Sequence, residues 1–344
     1  MRIVPYDPAD SGAARGCHAV RVAAQEVDDP QVPPESLPVV RSWLANGWGE
    51  VPGEGWVAVD EADGPGTEDA QGARVLGWYR IELPDLENRD RATVVLVVHP
   101  AFRRRGIGRA LLRHAVRRAA DNGRSILTGV PLQGTSGEVF ADRAGAKAGL
   151  VEARRVQDLT AVPAGTVARL RAAAAEKAAG YAVVSWVGVT PDEYVAQVAG
   201  ALNAMNDAPH VEGREDNLWD AGRVRERHDA VLRVSPLRRY SVAALHEATG
   251  EMAGLTQVYI DPEVPWWGSQ GVTAVTRPHR GHRLGLLIKA AMLDWLAEAE
   301  PALERILTGN AASNAHMIEV NETLGYQLLE PAWVFFQLPV AGAE

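Results

Sequence analysis

The stretch "VLVVHPAFRRRGIGRALL", residues 95–112, runs from an apolar, β-branched strand through a basic loop directly into a helix. The unpaired N–H groups at a helix start point outward, and the helix dipole favours negative charge there. Glycines let anion oxygens approach the backbone, and arginines add charge-assisted hydrogen bonds. The stretch therefore predicts an anion cradle, with a capped surface helix as the alternative. Its spacing does not fit the nucleotide motifs GxGxxG and GxxxxGK(S/T).

Landmarks around this stretch occur a second time in the chain. The tetrapeptide "ILTG" stands at residues 126–129 and again at 306–309, 180 positions later. Two glycines that are 31 residues apart in the first half also recur 31 residues apart in the second half, at an offset of 177. These glycines are Gly77 with Gly108, and Gly254 with Gly285. The sequence therefore predicts a duplicated domain, with a three-residue length change between the two groups of landmarks.

The residue periods predict a mixed α/β order in each copy, neither a bundle nor a sandwich. Strands are expected near residues 73–82, 92–98 and 125–130, with a helix over 106–120, and near 239–247, 251–260, 271–276 and 304–309 in the second copy. The stretch "TPDE" at residues 190–193 is typical of a capping box that begins a further helix. A helical segment over residues 163–180 is taken to open the second copy, which predicts domains at 1–162 and 163–344.

Composition limits the classes of function. The chain has 344 residues, of which 47% are hydrophobic and 23% charged, as expected for two globular domains. The single cysteine, Cys17, excludes an internal disulfide framework and is interpreted as a buried apolar side chain, with a catalytic thiol as the alternative. Apolar runs are shorter than the ~20 residues that span a bilayer, and no signal segment is found, so a cytoplasmic protein is predicted. The net charge of −9 disfavours general nucleic-acid binding and mildly favours a cationic small substrate, although a solvated acidic surface is preferred to an electrostatic funnel for an amine.

The basic loop resembles motif A of the GNAT acyltransferase superfamily, written (R/Q)-x-x-G-x-(G/A). The matching residues are Arg103, Arg104, Arg105, Gly106, Ile107 and Gly108. The resemblance implies a tandem GNAT fold, in which each copy has a central, mixed, mostly antiparallel sheet flanked by helices. It also implies acyl-CoA as co-substrate, with its pyrophosphate in the loop, and direct attack by an amine without a covalent enzyme intermediate. Mycothiol synthases share a two-domain architecture of this kind, although no motif specific to them is present.

By the same resemblance, Leu96 and Val98 offer strand contacts to the thioester, and the loop from Arg103 to Arg109 holds the phosphates. The second copy, "VTRPHRGHRLGLLIK", gives a weaker match. Its expected CoA-binding residues are Val275, Arg280, Gly281, His282, Arg283 and Gly285. Arg283 stands where the first glycine of the motif belongs. That side chain either blocks the phosphates, or points away and supplies a further cation.

The second GNAT signature, N-x-x-A-x-x-x-Y-x-x-x-G-(F/Y), lies on the late helix of the family, where Asn contacts pantetheine and Tyr protonates the leaving thiolate. The stretch "NAHMIEVNETLGY" retains Asn314 and has Asn321 in place of Tyr. The first copy, "GTSGEVFADRAGA", has Gly134 for Asn and Ala141 for Tyr. Each copy therefore departs from the family at a different place, and the usual acid is absent from both.

Three residues are candidates for proton transfer, each with an ordinary structural polar group as the alternative. Glu82 is expected to act as a base in the first copy, and Tyr259, at the corresponding place, as the thiolate acid in the second. His246 is a further candidate for the second copy.

His279 and His282 have no third ligand nearby in the sequence, so no metal is expected.

Together these patterns predict an N-acetyltransferase that uses acetyl-CoA and acts on a primary amine of a small molecule, as a monomer or homodimer, without nucleic-acid or membrane partners. A non-catalytic CoA-binding sensor or scaffold is the alternative.

Overall fold

The structure, a computed structural model, describes residues 1–47, 51–60 and 74–341. The chain divides into two compact units by contact. The first unit comprises Met1–Val151, Val211–Glu215 and Trp333–Glu344, and the second comprises Glu152–His210 and Asp216–Ala332. Each is a mixed α/β layer structure with a mostly antiparallel sheet, which confirms the predicted fold class. The domain boundary between residues 162 and 163, which is inferred from the sequence repeat, stays a prediction.

The first repeat supplies six strands and four helices to the described structure. Its elements are β1 (Arg2–Pro5), α1 (Ser11–Asp28), α2 (Leu37–Asn46), β2 (Gly53–Asp60), β3 (Arg74–Glu82), β4 (Arg91–Val98), α3 (Ile107–Asp121), β5 (Ile126–Gly129), α4 (Ser136–Arg143) and β6 (Lys147–Asp158).

The second repeat follows with the same order of strands. Its elements are α5 (Thr166–Lys177), β7 (Tyr181–Val187), α6 (Val195–Asn203), α7 (Ala221–Arg223), α8 (Val231–Val234), β8 (Arg238–His246), β9 (Met252–Ile260), β10 (Trp267–Val275), α9 (Leu284–Ala299), β11 (Arg305–Ala311), α10 (Ala315–Thr323) and β12 (Tyr326–Pro339).

The two sheets have equivalent strand orders. In the first unit the order is β1-β2-β3-β4-β5-β12, and in the second it is β7-β8-β9-β10-β11-β6. Neighbouring strands are antiparallel except for β4 with β5, and β10 with β11, which are parallel. The sixth strand of each sheet comes from the other repeat: Phe336 to Pro339 pair with β5, and Glu152 to Asp158 pair with β11.

Helix packing follows the apolar spacing of the sequence. On α3, Ile107, Leu111 and Ala115 recur every four residues and are buried against the first sheet. Helix α9 is apolar on nearly every side and is buried through most of its length in the core of the second unit. These two helices begin at the basic loops, so their packing fixes the position of each loop relative to its sheet.

The predicted capping box at residues 190–193 differs from the structure. Residues Asp192–Tyr194 form a 3₁₀ turn, and α6 begins only at Val195. The Thr190 hydroxyl instead donates to Asp229 Oδ1 at 3.0 Å, because this carboxylate is buried beside it and forms an ion pair with buried Arg239.

Cys17 is fully buried in the core of the first unit, and burial raises the pKa of its thiol. This environment favours the interpretation as an apolar packing residue, since reactive thiols need a lowered pKa and access.

None of the described helices is long and apolar enough to cross a membrane.

Candidate active site

The first unit has a crevice where its two parallel strands stop pairing. Strands β4 and β5 are in register from Arg91 with Ile126 to Thr93 with Thr128, and no further. Beyond this point the facing backbone groups of the two strands have no partner in the ladder, so they are available to a ligand or water. We call this opening the first crevice, and the last paired residues its apex.

The second unit repeats this arrangement. Strands β10 and β11 are in register from Trp267 with Arg305 to Ser269 with Leu307, which form the apex of the second crevice. Three paired residues followed by separation is therefore a property of both copies of the fold.

A β-bulge distinguishes the second crevice from the first. On β10, Gln270 pairs with Val258 and Thr273 with Thr256, so two β10 residues oppose one on β9. The corresponding β3–β4 ladder of the first unit is unbroken from Glu82 to Gly77. Bulges disrupt pairing locally and are frequent beside active sites. In this structure the bulge lies next to the apex of the second crevice only.

An aromatic ring lies against a glycine of the bulge. A Cβ at Gly271 would lie 2.6 Å from Cε2 of Tyr259, so the Tyr259 ring occupies the space that a side chain would need. Tyr259 pairs with Ser269 at the apex. The predicted acid of the second copy therefore stands at the point where the two strands separate.

The two basic loops have the same backbone shape with a different distribution of residues. In the first loop Arg104 (φ 64°) and Gly106 (φ 84°) are left-handed, and in the second Gly281 (φ 89°) and Arg283 (φ 56°) are left-handed. Arginine and glycine have thus exchanged places between two equivalent left-handed positions. Arg283 precedes α9 as its N-cap, as Gly106 precedes α3. The absent motif glycine therefore leaves the loop conformation unchanged, at a cost of ~1 kcal/mol for a side chain in this region.

One arginine in each loop is tied to its own unit. Arg103 donates through Nε to the Val98 carbonyl at 3.2 Å and through Nη2 to Asp28 Oδ2 at 2.6 Å. Arg280 donates through Nε to the Val275 carbonyl at 3.1 Å and through Nη2 to Asp207 Oδ2 at 2.5 Å. These two arginines brace the loop against its strand.

The acids that hold these arginines were missed from the sequence. Asp28 and Asp207 are 179 positions apart, close to the repeat offset, which is the signal that could have found them. Hydrogen bonds from Arg277 and Arg280 lower the pKa of Asp207 to about 2, so this carboxylate is ionised at neutral pH.

The left-handed arginines are available for an anion. Arg104 and Arg283 are exposed, and neither guanidinium has a hydrogen bond or ion pair with another described residue. Arg105 lies 5.4 Å from the centroid of the Phe102 ring, and Arg109 is exposed on the first turn of α3. The cations that face solvent at each loop are thus different residues from those that brace it.

The remaining loop residues contribute mainly packing. Ile107 is buried in the core, and a Cβ at Gly108 would lie 3.5 Å from the Phe140 ring and 3.7 Å from Val98 Cγ2. Leu96 also packs against this core. In the second loop, a Cβ at Gly285 would touch only Val275 Cγ2, at 4.0 Å. The His282 ring lies 5.4 Å from the Tyr181 ring.

The comparisons with known proteins agree with this geometry. A sequence model described as "Acetyltransferase (GNAT) domain" matches residues 52–147, which include β4, the first basic loop and α3. Over the whole chain, the structure is similar to a tandem GNAT protein from the clavulanic acid biosynthesis pathway, solved without AcCoA. The two share 29% identity, each is covered over 98% of its length, and the TM-score is 0.78. Residues 52–147 therefore contain a GNAT acetyltransferase domain, and the chain has a tandem GNAT fold.

More distant GNAT structures share the fold alone. A GCN5-related N-acetyltransferase from Sphaerobacter thermophilus is 14% identical, with 98% of this chain and 95% of that chain covered and a TM-score of 0.62. A structure from Pyrococcus horikoshii is 15% identical, with 98% of this chain and 89% of that chain covered and a TM-score of 0.53. No curated protein sequence matches this chain significantly.

Within this GNAT fold, the other predicted proton-transfer residues occupy different places. Glu82 pairs with Thr93, so it is level with the apex of the first crevice. His246 lies at the far end of β8, seven residues from the partner of Tyr259, which corresponds to about 23 Å along a strand. Its Nδ1 is 3.0 Å from Thr249 Oγ1. The structure therefore does not bring His246 and Tyr259 together.

Asn314, the predicted pantetheine ligand of the GNAT signature, is the N-cap of α10. Its Oδ1 accepts a hydrogen bond from the Met317 amide at 3.3 Å. A role toward pantetheine stays a prediction.

A polar chain inside the second unit was missed from the sequence. Lys289 donates through Nζ to Asn321 Oδ1 at 2.7 Å, and Asn321 Nδ2 donates to Asn310 Oδ1 at 2.7 Å. Burial lowers the pKa of Lys289 to about 7. The available signal was a lysine within the apolar run "LGLLIKAAML", in a chain that has few lysines.

Among the described residues, no group of three or more His, Cys, Asp or Glu side chains could hold a metal ion.

Proposed function

We propose that this GNAT protein transfers an acetyl group from acetyl-CoA to a primary amine of a small molecule, and that the second crevice is where the transfer occurs. The observation that carries this proposal is the bulge at Gly271, which adjoins the apex and holds the Tyr259 ring there. The first crevice, with its unbroken ladder, is assigned the role of a scaffold or a second CoA site.

The second loop supports binding of the donor's diphosphate. The N–H groups at the start of α9 are unpaired within the helix, and Arg283 adds an exposed cation without a partner among the described residues. Gly281 and His282 complete the loop, while Arg280 holds its shape. The unpaired edge of β10 ending at Val275 offers backbone N–H groups to the thioester carbonyl.

The proposed reaction is direct aminolysis. The amine nitrogen attacks the carbonyl carbon, and the negative charge that develops on oxygen is stabilised by the N–H groups of β10. The C–S bond then breaks, its electron pair leaves with sulfur as a thiolate, and the nitrogen releases its second proton to water, which gives the neutral amide. An alkylammonium ion has a pKa of ~10, so it must lose a proton to water or a base before attack. Tyr259 is proposed to donate a proton to the thiolate, because its ring stands at the apex.

The net charge of −9 supports a cationic small substrate and argues against nucleic acid. The absence of a described membrane-spanning helix is compatible with the proposed cytoplasmic location, and the protein is proposed to act as a monomer or homodimer.

A matched pair of variants tests which crevice is used. Arg283→Glu and Arg104→Glu each replace an exposed, left-handed arginine by an anion, one in each loop. Acetyl-CoA binding is measured by titration calorimetry, and thiol release is measured with amino acids, amino sugars and polyamines. We expect Arg283→Glu to weaken donor binding about tenfold or more and to abolish thiol release, whereas Arg104→Glu retains thiol release. The opposite pattern would transfer the proposal to the first crevice.

A CoA-binding sensor without turnover is the second candidate. It is favoured by the side chains at the usual tyrosine position, which are Ala141 in one copy and Asn321 in the other. Stoichiometric acetyl-CoA binding without thiol release for any amine would support the sensor and contradict the transferase.

A further inference from the structure

A buried cation lies behind the second crevice, and no acid among the described residues pairs with it. Lys289 is 3% exposed, and its ammonium has two partners among the described residues: the Asn321 carboxamide and the Tyr326 ring, whose centroid is 4.6 Å away. Lysine is almost never buried without a charged partner, because desolvation of the ammonium is costly. Such a residue is a candidate for a functional role.

Two asparagines connect this ammonium to the wall of the crevice. Asn321 is fully buried and donates to Asn310, which is partly exposed on β11. Asn310 lies three residues beyond Leu307, the last β11 residue that pairs with β10. Within the described residues, the Asn310 Nδ2 group has no hydrogen-bond acceptor, so the chain ends in an available donor at the crevice.

The first unit shows that the fold does not require these hydrogen-bonded polar side chains. At the repeat offsets of 177 and 180, the positions of Lys289, Asn310 and Asn321 are occupied by Leu112, Val130 and Ala141. The same elements form in the first unit with three apolar side chains at these positions. A polar chain that costs stability and occurs in one copy only therefore serves something other than folding.

We propose that Lys289 is a positioning residue that stabilises the thiolate leaving in the second crevice, through the hydrogen bonds of Asn321 and Asn310. This inference rests on the proposed function. No proton crosses the amides: Lys289 keeps its proton and polarises both carboxamides, and Asn310 Nδ2 donates to the sulfur as the C–S bond breaks. These three side chains thereby stabilise the leaving thiolate, which is part of the role of the absent tyrosine of the GNAT signature.

The ammonium is the charged group on which this effect depends. Tyr326 is the only titratable side chain in contact with it among the described residues, and burial keeps this phenol neutral by raising its pKa. The ionisable residues of α10, His316, Glu319 and Glu322, are exposed. Since burial lowers the pKa of Lys289 to about 7, thiolate stabilisation is expected below neutral pH and lost above it.

The test measures the thiol pKa of bound CoA, from its ultraviolet thiolate absorbance, in the full-length protein. Lys289→Met removes the charge with little change in volume. A second variant combines Lys289→Leu, Asn310→Val and Asn321→Ala, which imports the residues that the first unit carries at these positions. Circular dichroism confirms that each variant is folded, and calorimetry gives the number of CoA molecules bound.

We expect one bound CoA thiol of the wild type to have its ionisation constant raised about tenfold or more, and both variants to lose this effect while still binding CoA. A thiol pKa that is the same in the wild type and both variants, with CoA bound in the second crevice, would overturn the role of Lys289. If Arg283→Glu binds CoA as tightly as the wild type, CoA does not bind in the second crevice. The proposed function then fails for that crevice, and the inference fails with it.

Discussion

Lys289→Met is expected to change how the stability of the second unit depends on pH. The pKa of Lys289 is about 7 in the folded chain, against an ordinary value of 10.5. Between these values the unfolded chain binds a proton that the folded chain lacks, so the free energy of unfolding rises with pH across this window. Below about pH 7 both states are protonated, and the full cost of burying the ammonium is present.

The size of this effect follows from the two pKa values. At ~1.4 kcal/mol per pH unit, the difference between about 7 and 10.5 corresponds to a cost on the order of 5 kcal/mol at low pH. Lys289→Met removes this cost, because the thioether is neutral at every pH. We therefore expect the variant to be more stable than the wild type near about pH 6, and this advantage to shrink as the pH approaches about 10.

The measurement is the unfolding transition of the second unit in urea or heat, followed at several pH values for both proteins. Lys177→Met is the matched control, because Lys177 is exposed on α5 and its replacement should leave the pH profile unchanged. If the curves of Lys289→Met and wild type run parallel from about pH 6 to 10, the ammonium keeps an ordinary pKa and the reasoning from burial is wrong.

Three further outcomes are expected. Asp229→Asn should destabilise the second unit by about 3–5 kcal/mol in thermal unfolding, because it leaves its buried arginine partner uncompensated, whereas replacing both by apolar residues should recover stability. Arg283→Gly should raise the free energy of unfolding by about 1 kcal/mol, since glycine adopts the left-handed conformation without strain. Gly271→Ala should displace the Tyr259 ring by roughly 1 Å and lower thiol release about 100-fold. Gly268→Ala is its control, because a Cβ there would meet Leu303 and Val258 at 3.3 Å but not the Tyr259 ring, and this variant should retain far more thiol release.

The duplicated fold could be predicted because its signals are local. The strand before each loop, the helix after it and the repeat offset are all read within short windows, and β4 and α3 lie within one residue of the expected ranges. The exchange of the sixth strands could not be predicted in this way. Pairing of Phe336 with Gly129 joins residues far apart in the sequence, and nothing local in β6 or β12 specifies which sheet each strand completes.

The two basic loops show that a sequence motif alone does not predict which arginines are available to bind an anion. Aligned as letters, Arg283 replaces a glycine and leaves open whether its side chain blocks the phosphates or supplies a cation. In the structure the chain keeps two left-handed positions and changes only which one carries glycine. Likewise the three consecutive arginines look equivalent, whereas Arg103 is held by Asp28 and Arg104 is exposed. Backbone conformation and pairing across the fold, not residue type alone, decide which cation faces an anion.

The repeat provides a comparison that a single domain would lack. Both copies satisfy the same requirements of the fold: the parallel pair that separates after three residues, the left-handed positions and an arginine braced by an acid. Features present in one copy only are therefore not explained by folding. The bulge at Gly271 and the chain from Lys289 to Asn310 are both of this kind, and both adjoin the second crevice. Because the first copy forms its fold without either feature, their coincidence at one crevice supports the proposal that the second copy carries the chemistry.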